Sequence, residues 1–222
     1  VKKTTPNYQR ERDLIKRGFS RIVGIDEAGM SPIAGCVVAG AVILDKDKTI
    51  KGLNDSKLLS PERREELYDK IMDRAVAVGI GVASVELIEE INIYWASRKA
   101  MLDAIQMISP APDYLLIDGN RPLKIDILQE SIVKGDIKSR SIAAASIIAK
   151  VTRDRIMIEL SKEYPMYGWQ QNKGYPTPLH KEAVKEYGIT PHHRKYFKFV
   201  KEYTDGCNSF MRRPGYPAQR NN

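Results

Sequence analysis

Short apolar runs alternate along this chain with longer stretches of helical periodicity, and three of the runs end on acids. Ile22-Val23-Gly24-Ile25 passes into Asp26-Glu27, and Tyr114-Leu115-Leu116-Ile117 into Asp118-Gly119. Ser131-Ile132-Val133 leads through Lys134-Gly135 to Asp136. Such runs predict buried strands. Residues 37–44 and 75–84, built of small and β-branched side chains, predict two more. Ser60-Pro61-Glu62 marks a helix start, with a hydroxyl N-cap, proline in the first turn and an early acid. That helix is expected to reach about residue 74 and to turn Leu67, Ile71 and Met72 to one face. Two helical segments should follow, up to Ser109-Pro110. Residues 139 to about 162, with Ala143, Ala144, Ala145, Ile147 and Ile148, predict a largely buried helix. Strands alternating with helices indicate an α/β domain over residues 21–163. A basic arm or short helix is expected over 1–20, a small helical region over 164–204 and a disordered basic tail over 205–222.

The acids change the picture from fold to chemistry. Ligands of open α/β sheets bind beyond the carboxyl ends of the strands, which is where Asp26, Glu27, Asp118 and Asp136 are expected. Four acids at one edge repel one another unless cations hold them, and hard oxygen donors select Mg²⁺ or Mn²⁺. Each acid has a plainer reading: an exposed turn for Asp26-Glu27, a turn signal for Asp118-Gly119, an N-cap for Asp136. Those readings explain the acids singly but not their convergence. Asp154, inside the long helix between Arg153 and Arg155, reads instead as an ion-pair partner. Gly79-Ile80-Gly81 lacks the third glycine of a dinucleotide fingerprint, since Ser84 stands there.

Composition then narrows the partners. The formal charge is +8, from 36 Lys and Arg against 28 Asp and Glu. The excess is clustered, with five basic residues to one acid over 138–155 and seven to two over 192–222. Clustered positive charge points to a phosphate-rich polymer. Cys36 and Cys207 form neither a metal motif nor a disulfide framework, so a reducing, cytoplasmic setting is expected. No apolar segment follows Val1-Lys2-Lys3, so no signal peptide is expected. The longest apolar stretches, about nine residues, are too short to span a bilayer. His180, His192 and His193 suggest ordinary polar or capping roles rather than a metal site.

Gly24-Ile25-Asp26-Glu27-Ala28-Gly29, Asn54-Asp55-Ser56-Lys57, Leu116-Ile117-Asp118-Gly119 and Lys134-Gly135-Asp136 together resemble type 2 ribonuclease H. The run from Ser141 to Arg155, Asn172-Lys173-Gly174-Tyr175-Pro176-Thr177, His180 and Tyr187-Gly188-Ile189-Thr190-Pro191 extend the resemblance over about residues 20–200. It implies a ribonuclease H-like fold, a five-stranded mixed sheet flanked by helices, with the C-terminal region completing a substrate cleft. It also implies a monomer that hydrolyses the RNA strand of RNA–DNA hybrids and cuts 5′ of ribonucleotides embedded in duplex DNA. Asp26, Glu27, Asp118 and Asp136 would bind two divalent cations, Mg²⁺ or Mn²⁺, and carry catalysis, leaving 5′-phosphate and 3′-hydroxyl ends. Gly29, Met30, Ser31, Asn54, Ser56, Lys57, Lys150, Lys173 and Tyr175 would contact substrate, with Tyr175 stacking beside the ribonucleotide. Arg153 and Arg155 are further candidates, although two residues apart on a helix they do not share a face.

The chain departs from this family where it usually has Gly-Arg-Gly. Here Gly29-Met30-Ser31 lacks the cation, and Ser31 restricts a position where glycine could take positive φ. Cys36 also replaces the usual later proline. Weaker selectivity for a single embedded ribonucleotide is therefore expected, with metal chemistry retained. A resolvase-type nuclease fits clustered acids but not the Asp-Ser-Lys and Lys-Gly-Tyr segments. A non-catalytic hybrid-binding protein fits the charge but has no need of four acids.

Overall fold

In a computed structural model, residues 5–204 are described. The expected tail over 205–222 lies outside them, as do residues 1–4. Helix α1 (Gln9–Lys16) precedes β1 (Ile22–Ala28) and β2 (Val37–Ile43). Then come α2 (Pro61–Arg74), β3 (Ala77–Ala83) and α3 (Val85–Gln106). The remaining elements are β4 (Tyr114–Asp118), β5 (Gln129–Ile132), α4 (Arg140–Glu163), α5 (Trp169–Asn172), α6 (Pro178–Tyr187) and α7 (Lys198–Lys201).

The strands form one five-stranded mixed sheet in the order β3-β2-β1-β4-β5. The β1–β2 and β2–β3 pairs are antiparallel, while β1–β4 and β4–β5 are parallel. Alternate residues serve opposite faces. Val23, Ile25, Val37, Ala39 and Ala41 pack with Ala96, Ala100 and Ala104 of α3 on one side. Val42 faces the other side, among Ala144, Ile147 and Ile148 of α4 and Leu67 and Ile71 of α2.

Glycine sets how close α4 comes. A Cβ at Gly24 would lie 2.1 Å from the Ser141 carbonyl carbon, and one at Gly40 would lie 2.5 Å from the Ala145 carbonyl oxygen. This approach brings the middle of α4 beneath the end of β1, where the acids stand. One expectation needs correction. Met72 is exposed while Leu67 and Ile71 are buried, because each residue turns the helix by about 100° and Met72 passes the edge of the apolar stripe. The two helical segments expected before residue 108 are both present, joined as α3 across a kink at Asn92 (φ 67°, ψ 163°).

Past α4 the chain folds over the loop between β1 and β2. Ala34 packs with Met157, Tyr164, Tyr167, Trp169 and Val184. Ile33 N–H donates to the Gly174 carbonyl at 2.9 Å, and Arg194 N–H to the Ile33 carbonyl at 2.9 Å.

Candidate active site

Parallel pairing of β1 with β4 aligns Ile25 with Ile117, so the acids that follow each residue fall side by side. Asp118 in turn aligns with Ile132 of β5. The chain then turns through Lys134, left-handed at φ 56°, into a short 3₁₀ turn over Gly135–Ile137. Gly135 N–H donates to Asp118 Oδ1 at 2.6 Å, which fastens the Asp136 turn to the end of β4. The four sequence-identified acids therefore stand together at one end of the sheet.

Strand alternation divides their surroundings. Asp26 faces α4, where the Ser146 hydroxyl is a hydrogen-bonding partner, and it also accepts Glu27 N–H at 2.8 Å. Glu27 faces α3, within the field of Arg98. Burial, then Glu27 and Asp118, pushes the Asp26 carboxyl well above the usual carboxylate range. Burial and Asp118 raise Glu27 to about 7 despite Arg98 and Lys57. Asp136 is raised by burial, then by Asp55 and Asp118. Burial of its stem opposes the charge on Lys57, yet Asp55, Asp26, Asp136 and Asp118 together hold this lysine above its ordinary range.

An electrostatic deficit of this sort, built of oxygen donors, fits a divalent cation. Among the described residues no three His, Cys, Asp or Glu side chains converge on one point closely enough to hold an ion. Seating one therefore calls for rotation of the carboxylates. The fit rests on charge and donor type.

The expected substrate contacts divide. Lys57 is exposed and faces the acids, and Asn54 is half-buried with its Oδ1 accepting Asp55 N–H at 3.0 Å. Ser56 needs correction: its side chain is only 3% exposed and lies 2.9 Å from Ser146 Oγ. It supports the serine beneath Asp26 rather than meeting a ligand. Lys150, Lys173 and Tyr175 line a cavity of about 260 Å³ with Arg64, Asp154 and Asn172. Tyr175 is 38% exposed, with Lys150 Nζ 5.8 Å from its ring centroid. Lys150 also pairs with Asp154 at 2.7 Å, and Arg64 approaches Asp154 at 3.9 Å.

Arg153 is the second correction. It is 1% exposed and donates to the carbonyls of Cys36 (2.9 Å), Lys173 (3.0 Å) and Ala34 (3.1 Å). Its guanidinium is spent on the loops and cannot reach a phosphate. Arg155 turns towards α2, pairing with Glu65 and lying 4.3 Å over the Tyr68 ring. The loop over residues 29–36 keeps Gly29 at φ 108°, where a Cβ would lie 2.4 Å from Arg153 Nε. Met30 is half-buried, Ser31 is exposed, and among the described residues the non-glycine positions with positive φ are Asn92, Lys134 and Lys173. Ser31 thus carries no left-handed strain, contrary to the restriction expected there.

Sequence reasoning missed Arg98 and Arg194. Arg194 is buried and donates to Gly35 (2.8 Å), Pro32 (2.9 Å) and Cys36 (3.1 Å) carbonyls. Arg98 reads as an ordinary charged position beside the buried stripe of α3, and Arg194 lies outside any periodic pattern, so no local signal marks either. The histidines join an aromatic cluster: Trp169 Nε1 donates to His180 Nε2 at 3.0 Å, and His193 packs against Tyr167 and Trp169.

Comparison with known proteins follows the same lines. The family model described as ribonuclease HII matches residues 23–200. A ribonuclease HII of Bacillus licheniformis is 54% identical over 193 residues, covering 87% of this chain and 75% of that protein. One from Acetivibrio thermocellus is 56% identical over 187 residues, covering 84% and 73%. The ribonuclease H2 structure from Pyrococcus horikoshii matches with a TM-score of 0.72 at 27% identity, covering 87% of this chain and 100% of that one. A Bst ribonuclease HIII solved in complex with Mn²⁺ shares the fold, with a TM-score of 0.66 at 19% identity over 82% of this chain and 68% of that one. Among the described residues no helix is long and apolar enough to cross a membrane. With sequence and fold in agreement over most of its length, the chain belongs to the ribonuclease HII family, metal-dependent endoribonucleases of ribonuclease H-like fold.

Proposed function

We propose that this chain hydrolyses the RNA strand of RNA–DNA hybrids and cuts 5′ of ribonucleotides embedded in duplex DNA, with two divalent cations, Mg²⁺ or Mn²⁺, held by Asp26, Glu27, Asp118 and Asp136. When bound, such a pair of ions activates water and steadies the departing 3′ oxygen, which gives 5′-phosphate and 3′-hydroxyl products. The observation that carries the reading is the Gly135-to-Asp118 hydrogen bond, which fastens Asp136 beside the Asp26–Asp118 strand pair. Lys57 offsets the cluster's charge and faces a phosphate approaching it. Lys150, Lys173 and Tyr175 receive the duplex beside the scissile step, with the ring stacking on sugar or base.

In this reading residues 21–163 form the catalytic domain, and residues 164–204 complete the cleft by bracing the 29–36 loop. That loop offers backbone groups to the ribose 2′-hydroxyl, the atom that separates RNA from DNA. Without an arginine at position 30, the preference for one embedded ribonucleotide is weaker than its relatives'. The enzyme acts as a monomer in a reducing cytoplasm, where a free buried thiol such as Cys36 persists.

Asp118→Asn tests the assignment. It should lower turnover roughly a thousandfold, the scale of losing one electrostatic anchor, while hybrid binding in EDTA stays within twofold. Wild-type protein that holds hybrid yet never cuts it with either metal would instead be a binding protein.

A further inference from the structure

Helix α3 breaks beside the acid cluster in a way that builds a second surface. Asn92 Oδ1 accepts the N–H groups of Tyr94 (3.0 Å) and Trp95 (3.3 Å), restarting the helix as an N-cap does. Two adjacent aromatic residues thus lie in the first turn of the new helical segment, their rings edge to face at 5.0 Å. Trp95 is 44% exposed.

Cations cover both rings. Arg121 lies 5.5 Å and Arg98 6.0 Å from the Tyr94 centroid, and Lys124 Nζ lies 5.2 Å from that of Trp95. None of these three forms an ion pair among the described residues. Arg98 Nη2 donates to the Arg121 carbonyl at 2.8 Å and to that of Pro122, which ties the platform to the chain just past Asp118. The charge of Arg98 also reaches Glu27. Since α3 and α4 cover opposite faces of the sheet, the platform and Tyr175 flank the acids from two sides.

We propose that Tyr94, Trp95, Arg98, Arg121 and Lys124 form a second nucleic-acid contact, which takes the sugar–phosphate backbone of the substrate duplex away from the scissile linkage. Arg121 and Lys124 meet phosphates, and the open edge of Trp95 packs on a sugar. Charge complementarity selects this occupant. Unpaired cations beside an acidic cluster give a polyanion its path past that cluster, and stacking on a ring needs no base sequence. The inference rests on the reading of the chain as a hybrid-cleaving enzyme.

The protein carries its own probe, because of its two tryptophans Trp169 is fully buried and Trp95 is exposed. Titrating the full chain with a continuous RNA–DNA hybrid in excess EDTA should quench Trp95 emission along the binding curve. Trp95→Phe should abolish the signal. Trp95→Ala should weaken binding about tenfold, and Arg121→Gln with Lys124→Gln should lower the slope of log affinity against log salt by about one per lost contact. Melting temperatures of these exposed-site variants should match wild type. Unchanged emission together with unchanged affinity and salt slope would overturn the proposal and leave the surface to a protein partner. Cutting of the same hybrid by wild type in Mn²⁺ separates the two readings: failure to cut sinks the enzyme, whereas cutting with unaltered binding sinks only the platform.

Discussion

Arg153 and Arg194 share one acceptor: both guanidinium groups donate to the Cys36 carbonyl oxygen, at 2.9 and 3.1 Å. Two buried cations thus meet over a loop that supplies carbonyls and no carboxylate. Burial, then the neighbouring Arg153, pulls Arg194 down to about 10, so Arg194 remains charged at neutral pH. The arrangement holds because six carbonyls, from Pro32, Ala34, Gly35, Cys36, Lys173 and Met30, stand in for water.

Removing one guanidinium strands those carbonyls. Arg194→Met should cost about 2–5 kcal/mol of stability in urea denaturation, because buried acceptors lose charged donors. Arg194→Lys should recover part of the loss, since a lysine offers fewer donors in a less fixed geometry. A midpoint unchanged in Arg194→Met would show that the carbonyls find other partners.

The acid cluster should couple metal, pH and stability. Glu27 ordinarily titrates at 4.5 and in the fold at about 7. Between those limits the folded protein keeps a proton that the unfolded chain has lost. Metal-free stability from this group is therefore greatest below pH 4.5 and declines as pH rises to 7. A divalent cation replaces that proton, so Mn²⁺ should raise the melting temperature at pH 8 clearly more than at pH 5.5. Equal shifts at both pH values would count against the carboxylates as the binding site.

His193 acts with the opposite sign. Burial, then His180 and His192, lowers it from 6.5 to about 3, so below pH 6.5 the unfolded chain takes up a proton that the folded chain refuses. Its contribution to stability is complete above 6.5 and declines by about 1.4 kcal/mol per pH unit towards 3. His193→Asn should flatten the acid limb of a stability profile taken in metal-free buffer. An acid limb as steep as wild type's would assign it to other groups.

Junction selectivity is open to a gain-of-function test. Met30→Arg with Ser31→Gly should increase the ratio of cutting at one embedded ribonucleotide to cutting of a continuous hybrid, by about tenfold or less. The main-chain clamp on residues 30–36 is already in place, so stability should hardly change. A wild-type ratio already equal to that of the double variant would remove the significance of the departure.

By itself the sequence determined the strands, the long buried helix and the four acids at strand ends, because apolar periodicity and strand termination are local properties that survive any packing. It also determined that Asp154 serves an ion pair, although its partners in the fold are Lys150 and Arg64 rather than the flanking Arg153 and Arg155. Only the tertiary structure decided what the neighbouring polar residues do. Ser56 and Arg153 carry side chains suited to a phosphate, yet α4 and the 29–36 loop close over them and turn both inward. Arg98, Arg194 and the Tyr94–Trp95 pair gain their meaning from residues distant in sequence. Burial and the placement of charge depend on which segments meet, and no local pattern encodes that meeting.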